Sequence, residues 1–153
     1  MKKVFLKSKM FAVAAACLLS AYSITGCEDD DADSTNTGVK YTNVAITGAQ
    51  EFPAVTTTRT GTFSGDYNKT TKVLTYTITH NVTDAAAAHF HEAPRDSSGG
   101  VVIPIAAPLT SPISRTATLT PAQESDLLRG RLYINIHSPA FPTGEIRGQI
   151  PAE

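Results

Sequence analysis

Three of the four histidines in the sequence are spaced so that they could bind one metal ion. His89 and His91 are separated by one residue, so on a β-strand both side chains leave the same face, roughly 6.6 Å apart along it. With His137 from a second strand they would offer three nitrogen ligands, a set that suits copper or zinc. In the alternative interpretation, the rings only form hydrogen bonds with backbone and hydroxyl groups in a polar patch.

The strand that must position His137 has one apolar and one polar face. In Leu132–His137 the even positions hold leucine or isoleucine, and the odd positions hold tyrosine, asparagine and histidine. This period of two is expected when one face of a strand packs in the core. We therefore predict that His137 points away from the core, and we interpret His80, at the end of another predicted strand, as a structural residue.

Two charged residues lie on one face of the predicted last strand. Glu145 and Arg147 have no nucleophile or second carboxylate beside them, so we assign no catalytic residue and lean towards a protein that is not an enzyme. We interpret them as an exposed or half-buried pair with a structural role, fixing the loop 138–143 against the sheet. Upstream, we interpret Gln50–Val55 as an ordered loop packed by Phe52 and not as the wall of a substrate cleft.

The elements that carry these residues are almost all β. Turn residues separate short strands throughout residues 40–151, a pattern typical of an all-β, two-sheet Greek-key β-sandwich. Thr120, Pro121 and Gln123 form a capping-box signal, which predicts one short connecting helix. The predicted strands are Tyr41–Thr47, Thr58–Tyr67, Val73–His80, Ala87–Glu92, Val101–Ile105, Ile113–Leu119, Leu132–His137 and Glu145–Ile150.

Residues 1–26 have the organisation of an export signal. Four lysines precede the apolar segment Phe11–Leu19, which is too short to span a bilayer. Cys27 then follows a small residue and resembles the lipobox cysteine of bacterial lipoproteins, which is lipidated and becomes the first residue of the mature chain. An ordinary signal peptide with an unrelated cysteine, or a retained transmembrane anchor, are the alternatives.

Residues 27–39 would form an acidic, disordered tether between the lipid and the domain. The tether is a solvated spacer or, because acidic runs after a lipidated cysteine resemble surface-export signals, a sorting signal. Removing residues 1–26 removes four lysines and no acidic residue, so the net charge changes from −1 to −5. This charge argues against a nucleic-acid partner. We expect a location on the periplasmic face or the cell surface, with the membrane as one partner and an unidentified protein or ligand as another.

A series of motifs in residues 40–151 resembles the CHRD domain, a module first recognised in chordin and common in exported bacterial proteins. This resemblance implies an immunoglobulin-like or superoxide-dismutase-like β-sandwich, and it implies little about biochemical role. One departure is Glu92, since family members commonly have glycine after the second histidine. The matching motifs are Ile46–Gly48, Gln50–Val55, Gly61–Thr62, Leu74–Tyr76, Ala88–His91, Leu119–Gln123, Leu132–Ser138 and Gly144–Gln149.

A fainter resemblance connects the histidines to the Cu/Zn superoxide dismutases. The stretch Ala88–Glu92 is similar to their His-x-His-Glu copper strand, and Arg131–His137 is similar to the strand that brings their last copper histidine. The sequence lacks their histidine-rich loop and their disulfide, so the resemblance does not imply superoxide dismutation. Two functions follow: an exported, lipid-anchored binding or structural module without catalytic activity, or a copper- or zinc-binding protein of the periplasm or cell surface.

Overall fold

The computed structural model describes residues 38–153, which form eight strands and one α-helix. The predicted signal peptide, Cys27 and the tether up to residue 37 lie outside the described residues. Within the described part of the chain, no helix has the length and apolar character needed to cross a membrane. The elements are β1 Gly38–Thr47, a single 3-10 turn at Gly48–Gln50, β2 Thr60–Asn68, β3 Val73–His80, β4 Ala87–Glu92, β5 Val101–Pro104, β6 Ile113–Thr118, α1 Pro121–Leu128, β7 Leu132–Ser138 and β8 Phe141–Gln149.

All eight strands belong to one antiparallel sheet, in the order β5-β4-β7-β8-β1-β2-β3-β6. A single residue pair, Thr47 with Arg147, joins β1 to β8, so the sheet divides there into two halves of four strands. The halves face each other, because the ring of Phe90 on β4 lies 6.0 Å from Phe63 on β2 and 5.1 Å from Tyr76 on β3. Since β6 returns beside β3 and β7 returns beside β4, the predicted Greek-key sandwich is confirmed.

The core lies between the two halves and follows the alternation of the strands. Leu132, Ile134 and Ile136 of β7 are fully buried in it, together with Ile46, Phe63 and Phe90. Gly148 on β8 allows β1 to come close, because a Cβ atom there would lie 2.7 Å from the side chain of Ile46. Glycine at this position therefore marks a close approach of two segments.

The opposite face of β7 is also buried, which the alternation of the sequence did not predict. All seven residues of β7 are buried, because two loops cover its polar face. One loop contains Glu51, which accepts hydrogen bonds from Asn135, and the other contains Ser97, which accepts one from Arg147. We define these two covering loops as residues 51–59 and residues 93–100. The polar residues of β4, β7 and β8 consequently lie in a second, polar interior.

Two boundaries depend on individual side chains. β1 begins inside the segment assigned to the tether, because Val39 is buried against the core and pairs with Tyr67. The capping box at the start of α1 is present as predicted: Thr120 Oγ1 accepts from the backbone N–H of Gln123, and Gln123 Oε1 accepts from that of Thr120. Gln123 Nε2 also donates to the carbonyl of Val102, which attaches the helix to β5.

Replacing Ile136 with alanine should lower the free energy of unfolding by about 2–5 kcal/mol, because the side chain is fully buried between the two halves. Val101→Ala is the matched control. It removes methyl groups from a side chain that is 50 % exposed and should change stability by less than about 0.5 kcal/mol. Urea denaturation of both variants measures the difference, and equal effects would contradict the assignment of faces on β7.

Candidate metal centre

The register between β4 and β7 places three histidines on one face of the strand pair. His137 pairs with Ala87. His89 pairs with Asn135, which lies next to His137 on the same face of β7. The centroid of the His89 ring lies 5.0 Å from that of the His137 ring and 5.5 Å from that of the His91 ring. One nitrogen of each ring lies within 4.8 Å of the other two. The three predicted ligands therefore form one group.

Backbone carbonyls determine which ring nitrogens are free. His91 Nδ1 lies 3.0 Å from the carbonyl of Gly99, and His137 Nδ1 lies 3.1 Å from that of Pro142. Because a carbonyl only accepts, both Nδ1 atoms carry hydrogen and both Nε2 atoms carry a lone pair. His137 Nε2 faces His89 Nδ1 at 3.2 Å. His91 Nε2 is buried without a hydrogen-bond partner in the described part of the chain.

This arrangement fits a transition-metal ion. Two histidine nitrogens bound to one tetrahedral ion at about 2.0–2.1 Å are about 3.3 Å apart, close to the 3.2 Å between His89 and His137. The remaining separations are within 4.8 Å, so a shared ion requires the rings to move closer together. Histidine ligands usually donate their other ring N–H to a carbonyl or carboxylate, which fixes the ring. His91 and His137 already have such partners in Gly99 and Pro142.

Burial keeps the three rings in the neutral form. Desolvation lowers the pKa of His89, His91 and His137 below its ordinary value of 6.5. For His91, the hydrogen bond to Gly99 opposes this shift, whereas the neighbouring histidines and Arg147 lower the pKa further. Neutral imidazole is the form that binds metal, so the uncharged group is ready to act as a ligand at neutral pH.

Arg147 supports His91 indirectly, through the aromatic ring of Tyr133. Its guanidinium lies 3.6 Å from the centroid of the Tyr133 ring, and that ring stacks against His91 at 5.0 Å and 13°. Arg147 also donates to the carbonyls of Ser97 at 2.7 Å and Pro94 at 3.1 Å. It therefore holds the covering loop that carries the carbonyl of Gly99.

The expectation that Glu145 and Arg147 are exposed or half-buried is wrong, because their exposed fractions are only 4 % and 1 %. Glu145 accepts a hydrogen bond from Thr57 at 2.8 Å and lies 4.0 Å from the guanidinium of Arg59. Their contacts thus go to the two covering loops, and not to the loop 138–143 as expected. The physical reason is that these loops enclose the outer face of β8.

Sequence reasoning missed Glu51 and misread the loop that contains it. Phe52 is 51 % exposed and does not pack the loop as expected. Glu51 accepts from Asn135 Nδ2 at 3.0 and 3.1 Å, and with Phe52 it lines a cavity of about 380 Å³ that reaches His91. The sequence did show a carboxylate inside the motif Gln50–Val55, but it gave no indication that Asn135 is the hydrogen-bond partner of this carboxylate.

His80 lies apart from the group, as its position at a strand end predicted. Its Nε2 atom is 2.9 Å from the carbonyl of Leu109, and its backbone N–H donates to Ser111. A separate cavity of about 360 Å³ is lined by His80, Val82 and Leu109 among others. The described residues of its lining include no second histidine and no carboxylate.

Comparison with known proteins supports the motif-based resemblance. The family model described as CHRD domain matches residues 42–150, more than half of the chain. No curated protein and no solved structure matches the chain. The matched range contains the three histidines, both covering loops and all eight strands except the first residues of β1.

The three histidines should progressively destabilise the metal-free protein as the pH drops below about 6.5. The three histidines have a lower pKa in the folded protein, so the unfolded chain takes up protons first and gains stability. Glu51 has the opposite sign: burial raises its pKa to about 7, so the folded protein gains stability as pH falls from there towards 4.5.

Urea denaturation between pH 8 and pH 5 measures this effect, with Glu51→Gln used to remove the opposing contribution. The variant should lose more stability over that range than the original protein does. Equal free energies of unfolding at pH 8 and pH 5 in Glu51→Gln would show that the histidines titrate normally in the folded state.

Proposed function

The chain belongs to the CHRD domain family, and from this membership and the geometry of its histidines we propose that it is a transition-metal-binding module displayed on a lipid anchor. At the level of the family, the domain is a binding or structural module. The finer proposal is that the bound species is copper or zinc, held by His89, His91 and His137.

The convergence of three ring nitrogens carries the proposal. His80 Nδ1 is also buried without a partner in the described part of the chain, so the convergence of three rings, and not one unpaired nitrogen, distinguishes a metal site. A buried lone pair without a hydrogen-bond donor costs about 1–3 kcal/mol. His91 Nε2 has none within the described residues, whereas its Nδ1 atom is held by Gly99. A metal ion bound to His91 Nε2 would remove this energetic cost. It would also use the ring orientation that the hydrogen bond to the carbonyl of Gly99 already fixes.

The ligand set favours a particular class of metal. The three residues of the group offer only imidazole nitrogen, without a carboxylate or thiolate. Imidazole suits copper and zinc, whereas calcium and magnesium prefer oxygen ligands. Three protein ligands leave at least one position for water or for a side chain of a partner. This favours a protein that binds or transfers metal, and no further catalytic group is assigned to it.

The second part of the proposal is the location. The basic segment, the apolar segment and the small residue before Cys27 occur in the order of a lipoprotein signal. We propose that the mature chain begins at a lipidated Cys27, that the membrane is its partner through this lipid, and that the domain faces the periplasm or the outside of the cell. The acidic tether would separate the domain from the lipid surface.

Titration of the untagged, metal-free protein with copper(II) and with zinc at neutral pH tests the metal site. We expect saturation at one ion per chain, and at least tenfold weaker binding in His91→Ala and in His137→Ala, because each loses one of three ligands. His80→Ala is the matched control, since it removes a histidine that lies outside the group.

Calorimetry gives the affinities, and the imidazole signals in NMR spectra identify the rings that respond. If the original protein and all three variants bind the ions equally weakly, the histidines are structural and the domain is an interaction module only. Circular dichroism of each variant checks that the sandwich has formed.

Replacement of Cys27 with alanine tests the anchor. The original protein should fractionate with membranes and have a lipidated Cys27 at its amino terminus, whereas Cys27→Ala should be unlipidated. Mass spectrometry of the amino-terminal peptide and detergent partitioning provide the measurements. A soluble original protein with a free amino terminus downstream of residue 27 would contradict the anchor and leave the metal site untouched.

A further inference from the structure

A cavity beside the histidine group has the size and the lining of a small-ligand site. Its volume is about 380 Å³, within the range of about 300–1,000 Å³ that is common for ligand pockets. It lies between the loop 51–59 and the polar face of β7. Phe52, Pro53 and Val55 form an apolar side, and Glu51 and Asn135 contribute polar groups.

The charged acceptor in this cavity is the carboxylate of Glu51, which is held by the buried amide of Asn135. Asn135 is only 3 % exposed. Its Nδ2 atom donates to both oxygens of Glu51, and its Oδ1 atom has no partner among residues 38–153. The reversed amide would place Oδ1 against an ionised carboxylate, so the observed orientation is the favourable one. Glu51 receives hydrogen from this single N–H₂ group and retains free lone pairs.

The charge of the lining is negative and incompletely balanced. Among the described residues that line the cavity, Glu51 is the one acid, and none is lysine or arginine. Desolvation raises the pKa of Glu51 to about 7, although the more distant Arg147 opposes the shift. A carboxylate in this position would be stabilised by a cation in the cavity.

Gly144 keeps the space next to these acceptors open. A Cβ atom there would lie 2.5 Å from Asn135 Nδ2 and 2.7 Å from Glu51 Oε1, and the residue has a φ of +130°. Any other side chain would therefore be strained and would collide with the hydrogen-bonded pair of Glu51 and Asn135.

We propose that this cavity binds a primary ammonium group on a short alkyl stem. The N–H donors of an ammonium match the carboxylate of Glu51, which keeps free lone pairs beside its hydrogen bonds from Asn135. The stem would lie against Phe52 and Pro53. An anion would meet the negative charge of Glu51 without a lysine or arginine in the described lining to balance it, and a neutral apolar molecule would leave that charge without a counterion. The site uses none of the lone pairs assigned to the metal, so it does not depend on the proposed function.

Titration of the full, metal-free chain with n-butylammonium, followed by NMR, tests this site. The side-chain amide of Asn135 should shift on saturable binding. Butanol and butyrate, which have the same stem, should bind at least tenfold more weakly. Glu51→Gln should weaken n-butylammonium binding at least tenfold because it removes the negative charge. Glu153→Gln removes the same charge outside the cavity lining and should have no effect.

A second probe distinguishes a free amine from a lysine side chain as the source of the ammonium. If Nα-acetyl-lysine N-methylamide and n-butylammonium both bind, the cavity accepts lysine side chains. If only n-butylammonium binds, the ligand is a free small amine, and both results uphold the proposal. Equal binding of butanol and n-butylammonium, or no saturable shift at Asn135, overturns it. An unchanged affinity for n-butylammonium in a folded Glu51→Gln also overturns the proposal. If that variant does not fold, the comparison of n-butylammonium with butanol and butyrate on the original protein decides.

Discussion

Burial of a polar sheet face is the constraint on which this structure depends. Once loops 51–59 and 93–100 cover β4, β7 and β8, every polar side chain beneath them needs a partner, because an unsatisfied buried group is costly. Arg147 donates hydrogen bonds to the carbonyls of Pro94 and Ser97 in loop 93–100. Glu145 accepts a hydrogen bond from Thr57 in loop 51–59. The loops are thus held by charged residues of the last strand, and the histidines become enclosed as a result.

The same enclosure gives the polar interior its chemical character. Burial disfavours charge, so it lowers the pKa of the three histidines and raises that of Glu51. At neutral pH the histidine group therefore presents neutral lone pairs, while the cavity beside it holds a carboxylate that is only partly balanced. His91 is the residue that both share, since it belongs to the histidine group and also lines the cavity. Two neighbouring sites of different preference arise from one covered surface.

Local patterns predicted the parts of the fold that depend on neighbouring residues. The alternation in β7, the capping box before α1 and the spacing of His89 and His91 each report on a few adjacent residues, and the antiparallel pairing of β4 with β7 then brought His137 to the pair. The covering loops were not predictable in this way. The contact between Glu51 and Asn135 connects residues that are 84 positions apart, and no local pattern reports it. For the same reason, a strand with a polar face was expected to be exposed, and the burial of Glu145 and Arg147 was missed.

The position of β1 determines how the domain would respond to mechanical force. β1 is the first described strand, and it lies between β8 and β2 in the interior of the sheet order. A pull on the chain from its amino-terminal side would enter the domain at Gly38 and act along β1. Only one residue pair connects β1 to β8, but eight connect it to β2. The force would therefore shear the β1–β2 ladder as a unit, and the rate of unfolding under tension would depend on that ladder and not on the distant histidines.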